Sequence, residues 1–165
     1  DLGLLILLLA AIGVGSALWH SVATGWAVLA DVIPITLFIN LYLLSFGWRV
    51  LGLRPLPLAA LWLGYQVLSI GLVALSGPAL LNGSVGYLPA LIFLLGFWWV
   101  LRRRADPLAK VLLAASLLFM VSLSLRTLDP IVCEAVPVGL HFLWHLLNAL
   151  LLYLLLSGLI THRRG

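Results

Sequence analysis

The sequence predicts an all-α, polytopic transmembrane helix bundle with six spans, and three observations carry that reading. Hydrophobic residues make up 64% of the chain and charged residues 8%, with a mean hydropathy of +1.24. A water-soluble domain of this length needs far more polar surface. Six apolar stretches also approach or exceed the ~20 residues that a helix needs to cross hydrocarbon. Finally, the basic residues and the clearest helix breakers fall between those stretches.

The elements follow in order. The first stretch, residues 2–22, begins directly after Asp1. It is too long for the core of a signal peptide and reads as a true spanning helix. The start, with no Met and no basic leader, predicts that an N-terminal portion is missing. The second stretch covers residues 29–48 and the third 56–75, separated by Arg54-Pro55-Leu56-Pro57. The fourth, residues 85–101, follows Ser76-Gly77-Pro78 and is closed by Arg102-Arg103-Arg104. The fifth covers residues 108–125, with Asp129-Pro130 beyond it as a stop signal. The sixth covers residues 138–160. Breakers of this kind end helices or favour water, and only helices satisfy the backbone of such single spans within hydrocarbon. No linker, low-complexity tract or repeat interrupts the chain, which reads as one transmembrane domain over residues 1–165.

The net charge of +4 does not mark a nucleic-acid partner, because the basic residues form no single patch. Arg49, Arg54, Arg102, Arg103, Arg104, Lys110, Arg163 and Arg164 fall on one side of the alternating spans, leaving only Arg126 on the other. By the positive-inside rule the eight-residue side is cytoplasmic, and so is the C-terminus. The seven Trp suit interfacial anchoring. The single Cys133 permits no internal disulfide. Oligomeric state is not legible.

The rare polar residues gather at the opposite, outer level. His20 ends the first span, Asp31 opens the second, and His141 and His145 open the sixth, after Asp129, Cys133 and Glu134 in the preceding loop. Ionisable groups in spanning helices are costly and usually mark function. His141 and His145 are four apart and share a face, as do Ser16 and His20. Asn148 continues the first of those faces. Three neutral imidazoles suit zinc and leave a fourth position for water, whose pKa falls from about 15.7 to about 7. Asp31 is placed to move that water's proton and Ser16 to hydrogen-bond it or a developing oxyanion. Pro34 leaves the carbonyl of Ala30 without its helical donor, loosening the backbone beside Asp31.

Plainer readings weigh against this one. A lone membrane histidine is more often an interhelical hydrogen bonder than a ligand. For the pair alone the metal and structural readings stand level; His20 and Asp31 at the same level shift the balance towards metal. Ser16 with Gly13 and Gly15 reads alternatively as small-residue packing. Asn40, Tyr65, Gln66, Ser69, Ser116, Ser122 and Ser124 read as packing or cavity lining, Arg126 and Asp129 as a loop ion pair, and His162 as part of a solvated basic tail. Haem ligation is a further reading, but two histidines on one face suit a small ion better than opposite sides of a porphyrin.

Gly13-Val14-Gly15-Ser16-Ala17-Leu18-Trp19-His20, followed by Asp31-Val32-Ile33-Pro34-Ile35, resembles the "GxGSxxFH … LDExPM" signature of the alkaline ceramidase family. His141-Phe142-Leu143-Trp144-His145 resembles its "HxxWH", and Arg126-Thr127-Leu128-Asp129 through Cys133 looks like a bacterial branch. That family comprises seven-helix, zinc-dependent intramembrane amidases in a superfamily that includes the adiponectin and progestin receptors. The resemblance implies zinc ligands at His20, His141 and His145, a water-bonding Ser16 and an acid/base Asp31. It implies ceramide or another N-acyl lipid as substrate, in a bacterial inner membrane. Val32 departs from the Glu of the eukaryotic signature. The family's first helix and calcium-binding segment have no counterpart here, and Cys133 would have its disulfide partner in that segment. A zinc-containing lipid sensor without significant turnover is the alternative on the same scaffold.

Overall fold

In the computed structural model, which describes residues 1–162, the chain forms six long α-helices and no strands. All six spans are long and apolar enough to cross a membrane, α4 together with the segment before it. Arg163 and Arg164, two of the residues read for topology, lie outside the described residues. The helices are α1 (Leu2–Val22), α2 (Gly25–Arg49), α3 (Pro55–Ser76), α4 (Leu88–Arg103), α5 (Leu108–Cys133) and α6 (His141–Thr161). Large apolar side chains such as Leu56, Val67, Ile70 and Leu75 are exposed, as an element facing lipid requires. The chain is an integral, multi-pass membrane protein with an all-α fold. Its described residues divide into two compact units, residues 1–62 with 159–162, and residues 63–158.

The first unit is built on the α1–α2 hairpin. The Asp1 carboxylate accepts the Leu2 N–H at 2.9 Å and so caps α1. The helix stops at Ala23, which adopts the left-handed conformation (φ 49°) and donates to Trp19 O. Only Ala23 and Thr24 join α1 to α2, so α2 starts four residues before the expected 29. Arg49 at the far end of α2 returns to Asp1, with Nε 2.7 Å from Oδ2. Asn40 accepts the Trp62 indole N–H at 2.8 Å, fixing α3 to α2 as a packing residue should. Gly47 admits Leu58 and Leu61 of α3, since a Cβ there would lie 2.6 Å from Leu58 Cδ1.

In the second unit the fourth helix starts at Leu88, three residues after the expected 85, because an irregular segment precedes it. Residues Leu80–Tyr87 form an irregular 3₁₀ segment in which Leu81, Asn82 and Gly83 all have positive φ, and α4 follows. Irregular backbone at membrane depth needs protein partners, and α5 supplies them. Thr127 Oγ1 donates to Ser84 Oγ at 2.9 Å and to Leu81 O at 3.2 Å. Arg102 and Arg103 lie over the rings of Trp98 and Trp99 at the end of α4. Ala105 then turns left-handed (φ 55°), and Asp106 caps α5 by accepting Leu108 N–H at 2.8 Å.

Asp129-Pro130 does not stop α5, contrary to expectation: the helix runs eight residues past 125, to Cys133. Pro130 has no N–H for the carbonyl of Arg126, a loss worth ~3 kcal/mol or more in a helix interior. The side chain of Asn82 replaces it, donating from Nδ2 to Arg126 O at 2.8 Å. The kink residue and its compensation are 48 positions apart, beyond the reach of local sequence signals. An Asn82→Ala variant should lose about 0.5–1.5 kcal/mol, the net worth of one hydrogen bond, as a lowered thermal midpoint in detergent. On a Pro130→Ala background, where the helix supplies its own donor, the same change should cost much less; an equal cost on both backgrounds rules this account out.

Candidate metal centre

The first unit contributes Ser16 and His20 from α1 and Asp31 from α2. The contact that positions them is Gly15 against Ala30. A Cβ on Gly15 would lie 2.0 Å from Ala30 O and 3.0 Å from the Cα of Asp31, closer than any real contact allows. The two backbones therefore touch where Pro34 has removed the helical donor to Ala30, and the Hα of Gly15 faces that carbonyl, a weak C–H···O contact. Gly13 has open space instead. Sequence reading placed a close approach at both glycines, and the structure uses Gly15. As a result Ser16 follows, and Asp31 adjoins, the point of tightest contact between the two helices. Ser16 and Asp31 are half-buried and His20 is exposed.

The second unit contributes His141 and His145. Helix α6 begins at His141, three residues after the expected 138, because Gly139 takes a left-handed turn (φ 63°). A Cβ on Gly139 would meet Cys133 Sγ at 2.5 Å and Asp129 Oδ1 at 2.6 Å. The His141 and His145 rings lie 4.9 Å apart, edge to face. Ser122 of α5 donates to Asn148 Oδ1 at 3.3 Å and Trp144 O at 3.4 Å, bracing the turn that carries His145.

Asp129 is the residue whose role the sequence concealed. Its Oδ1 accepts the Leu140 N–H at 2.5 Å, capping α6 from α5, and its Oδ2 stands 3.9 Å from His141 Nδ1. At that separation the carboxylate attracts the imidazole without a direct hydrogen bond, and the other ring nitrogen is left for a ligand. The expected ion pair with Arg126 is absent among the described residues: Arg126 lies over Tyr87 and Trp144. Nothing in the spacing of Asp129 and His141, twelve residues apart across a turn, marks this contact. Cys133 is a free, exposed thiol whose Sγ lies 3.6 Å from Asp129 Oδ1. Glu134 is exposed just past α5, and His162, read as solvated, is half-buried one residue past α6.

One ring nitrogen from each of His20, His141 and His145 lies within 4.8 Å of the other two. Bonds of 2.0–2.1 Å in a tetrahedron hold donor nitrogens about 3.4 Å apart. Three imidazoles also match zinc's preference for nitrogen donors, with one position left for a water or substrate. The donor set fits a zinc ion. Comparison with protein-family models, with curated proteins and with solved structures gives no match.

Two outcomes test this geometry. Gly15→Ala should destabilise the protein by about 1–3 kcal/mol as the α1–α2 contact is forced apart, read as a lower thermal midpoint; Gly13→Ala should be silent. Asp129→Asn keeps an oxygen for the Leu140 N–H but loses the charge beside His141. It should weaken zinc binding roughly 10–100-fold in a chelator competition, and unchanged affinity would remove Asp129 from the site.

Proposed function

We propose that the chain is a zinc-dependent intramembrane hydrolase that cleaves the amide bond of ceramide or a related N-acyl lipid. The observation that carries this reading is the gathering of His20, His141 and His145, one candidate ligand atom each, within 4.8 Å. The likeness of the residues around Ser16, His20, Asp31 and His141–His145 to the alkaline ceramidase signature supports it and supplies the reaction class. In this reading the site faces the outer side of a bacterial inner membrane, with the C-terminus cytoplasmic, as the basic residues favour.

When bound, zinc supplies a Lewis acid and lowers the pKa of a water towards 7. The chain's own groups do the rest. The Asp31 carboxylate takes a proton from the attacking water and passes it to the leaving amine nitrogen, so it ends the cycle as it began. The Ser16 hydroxyl donates a hydrogen bond to the oxyanion that forms as the amide carbon becomes tetrahedral. Asp129, 3.9 Å from His141 Nδ1, biases that ring electrostatically. The exposed apolar flanks of α1 and α6, including Val14 and Phe142, meet lipid directly, so an acyl chain need not leave the bilayer to approach.

Metal analysis and product release test the assignment together. Purified protein should contain about one zinc per chain and release fatty acid from ceramide, and His145→Ala should lose both. Asp31→Asn should retain zinc while turnover falls roughly 10²–10⁴-fold. Full hydrolysis by zinc-free protein sinks the proposal. Zinc and fatty-acid binding with negligible turnover, unaltered by Asp31→Asn, would assign the chain to lipid sensing.

A further inference from the structure

We propose that Arg126 receives an acidic group, carboxylate or phosphate, on the polar end of the amide lipid; this rests on the reading of the chain as an N-acyl lipid hydrolase. The residue's environment in the second unit carries the inference. Its guanidinium carbon lies 5.5 Å from the ring centre of Tyr87 and 5.0 Å from that of Trp144. Those rings meet edge to face, 5.2 Å apart. Aromatic faces hold a cation by their quadrupoles without neutralising it, so the charge and the in-plane N–H donors remain available.

The donors are also under-used. Nε is buried with no hydrogen-bond partner. Among the described residues no carboxylate lies within 4.0 Å of the guanidinium, and the nearest acid in sequence, Asp129, accepts the Leu140 N–H. Gly83 lies close against one end of the fork, where a Cβ would stand 3.2 Å from an Arg126 terminal nitrogen, so no side chain there covers it. An uncompensated guanidinium inside a spanning helix is expensive, and its planar fork matches a carboxylate or phosphate with two parallel hydrogen bonds.

Depth and neighbours then select the source of the anion. Arg126 lies seven residues before the end of α5, about 10 Å along a helix of about 39 Å that exceeds a hydrocarbon core of about 30 Å. Centred on that core, the helix leaves Arg126 about 6 Å inside its edge, within the reach of an extended lipid head group or of the long side chain itself. Trp144, which covers one face of the guanidinium, leaves α6 three residues after His141 and one before His145. An anion held at Arg126 thus lies beside the stretch of α6 that bears two candidate ligands. The geometry suits an N-acylated amino acid or another amide lipid with an acidic head.

Equilibrium binding of N-oleoylglycine and its neutral counterpart N-oleoylethanolamine to the chelator-treated protein in nanodiscs tests this apart from catalysis. The wild type should bind the acidic lipid about tenfold more tightly or better. Arg126→Gln should erase that preference, and Arg126→Lys, which keeps the charge, should retain part of it. Equal wild-type affinities, or a preference that survives Arg126→Gln, would overturn the proposal. So would competition by acetate or inorganic phosphate as effective as the lipid's, since the site would then serve a free anion. Should Arg126→Gln fail to fold, the wild-type ratio and the Lys variant still decide. Absence of zinc or turnover would sink the hydrolase reading while leaving this binding preference intact; a hydrolase indifferent to the head-group charge would sink this proposal alone.

Discussion

Hydrocarbon offers no hydrogen bonds, so every peptide group that a helix fails to satisfy must be met by another part of the same chain. That constraint organises this protein at two prolines. Pro34 withholds a donor from Ala30 O, and Pro130 withholds one from Arg126 O. Opposite the first stands Gly15, whose missing side chain lets α1 close on the exposed carbonyl. Opposite the second stands Asn82, whose amide replaces the lost bond. Both repairs pull segments together beside the candidate site. One places Ser16 next to the backbone of Asp31, and the other fixes the segment before α4 to the turn of α5 that bears Arg126 and Asp129. Local breaks in helical bonding have become the points that define tertiary register.

The same scarcity of solvent governs the ionised groups. Asp1 and Arg49 close the far end of the α1–α2 hairpin as a pair. Asp129 spends its charge on the start of α6, where the free N–H groups and the positive end of the helix dipole favour an anion. The carboxylate also reaches towards His141, so capping and ligand orientation are one interaction seen from two sides. Replacing Asp129 therefore disturbs where α6 begins as well as how its first residue points. This coupling explains why Gly139 must turn left-handed: only a residue without a Cβ lets the chain pass Asp129 and Cys133 closely enough for Leu140 to donate.

Much of this was legible in the sequence, and what was not has a physical cause. Six apolar runs gave six helices, and α1 matches residues 2–22 to the residue, because hydropathy and length are local properties. The close approach at Gly15 beside the carbonyl loosened by Pro34 was half visible: the small residues and the proline could be read, their meeting could not. Two of the misreadings depended on distant partners. Asp129-Pro130 read as a stop because the repair comes from Asn82, and Arg126 read as the partner of Asp129 because the aromatic faces of Tyr87 and Trp144 come from two other elements. Within the left-handed run Leu81–Gly83, Asn82-Gly83 is a local turn signal, whereas Leu81 announces nothing and holds its conformation with the support of Thr127.

In the proposed reaction the two carboxylates of the halves divide their labour according to these constraints. Asp129 is committed to a backbone N–H, so protonating it would weaken the start of α6 and the orientation of His141 together. A group with that structural duty is a poor proton carrier. Asp31 sits beside the hinge that Pro34 creates, where the helix is already relieved of one hydrogen bond and the carboxylate can be reoriented at small cost to the backbone. The proposal therefore gives the proton-moving role to Asp31 and the positioning role to Asp129. Their exchange would demand a different start for α6.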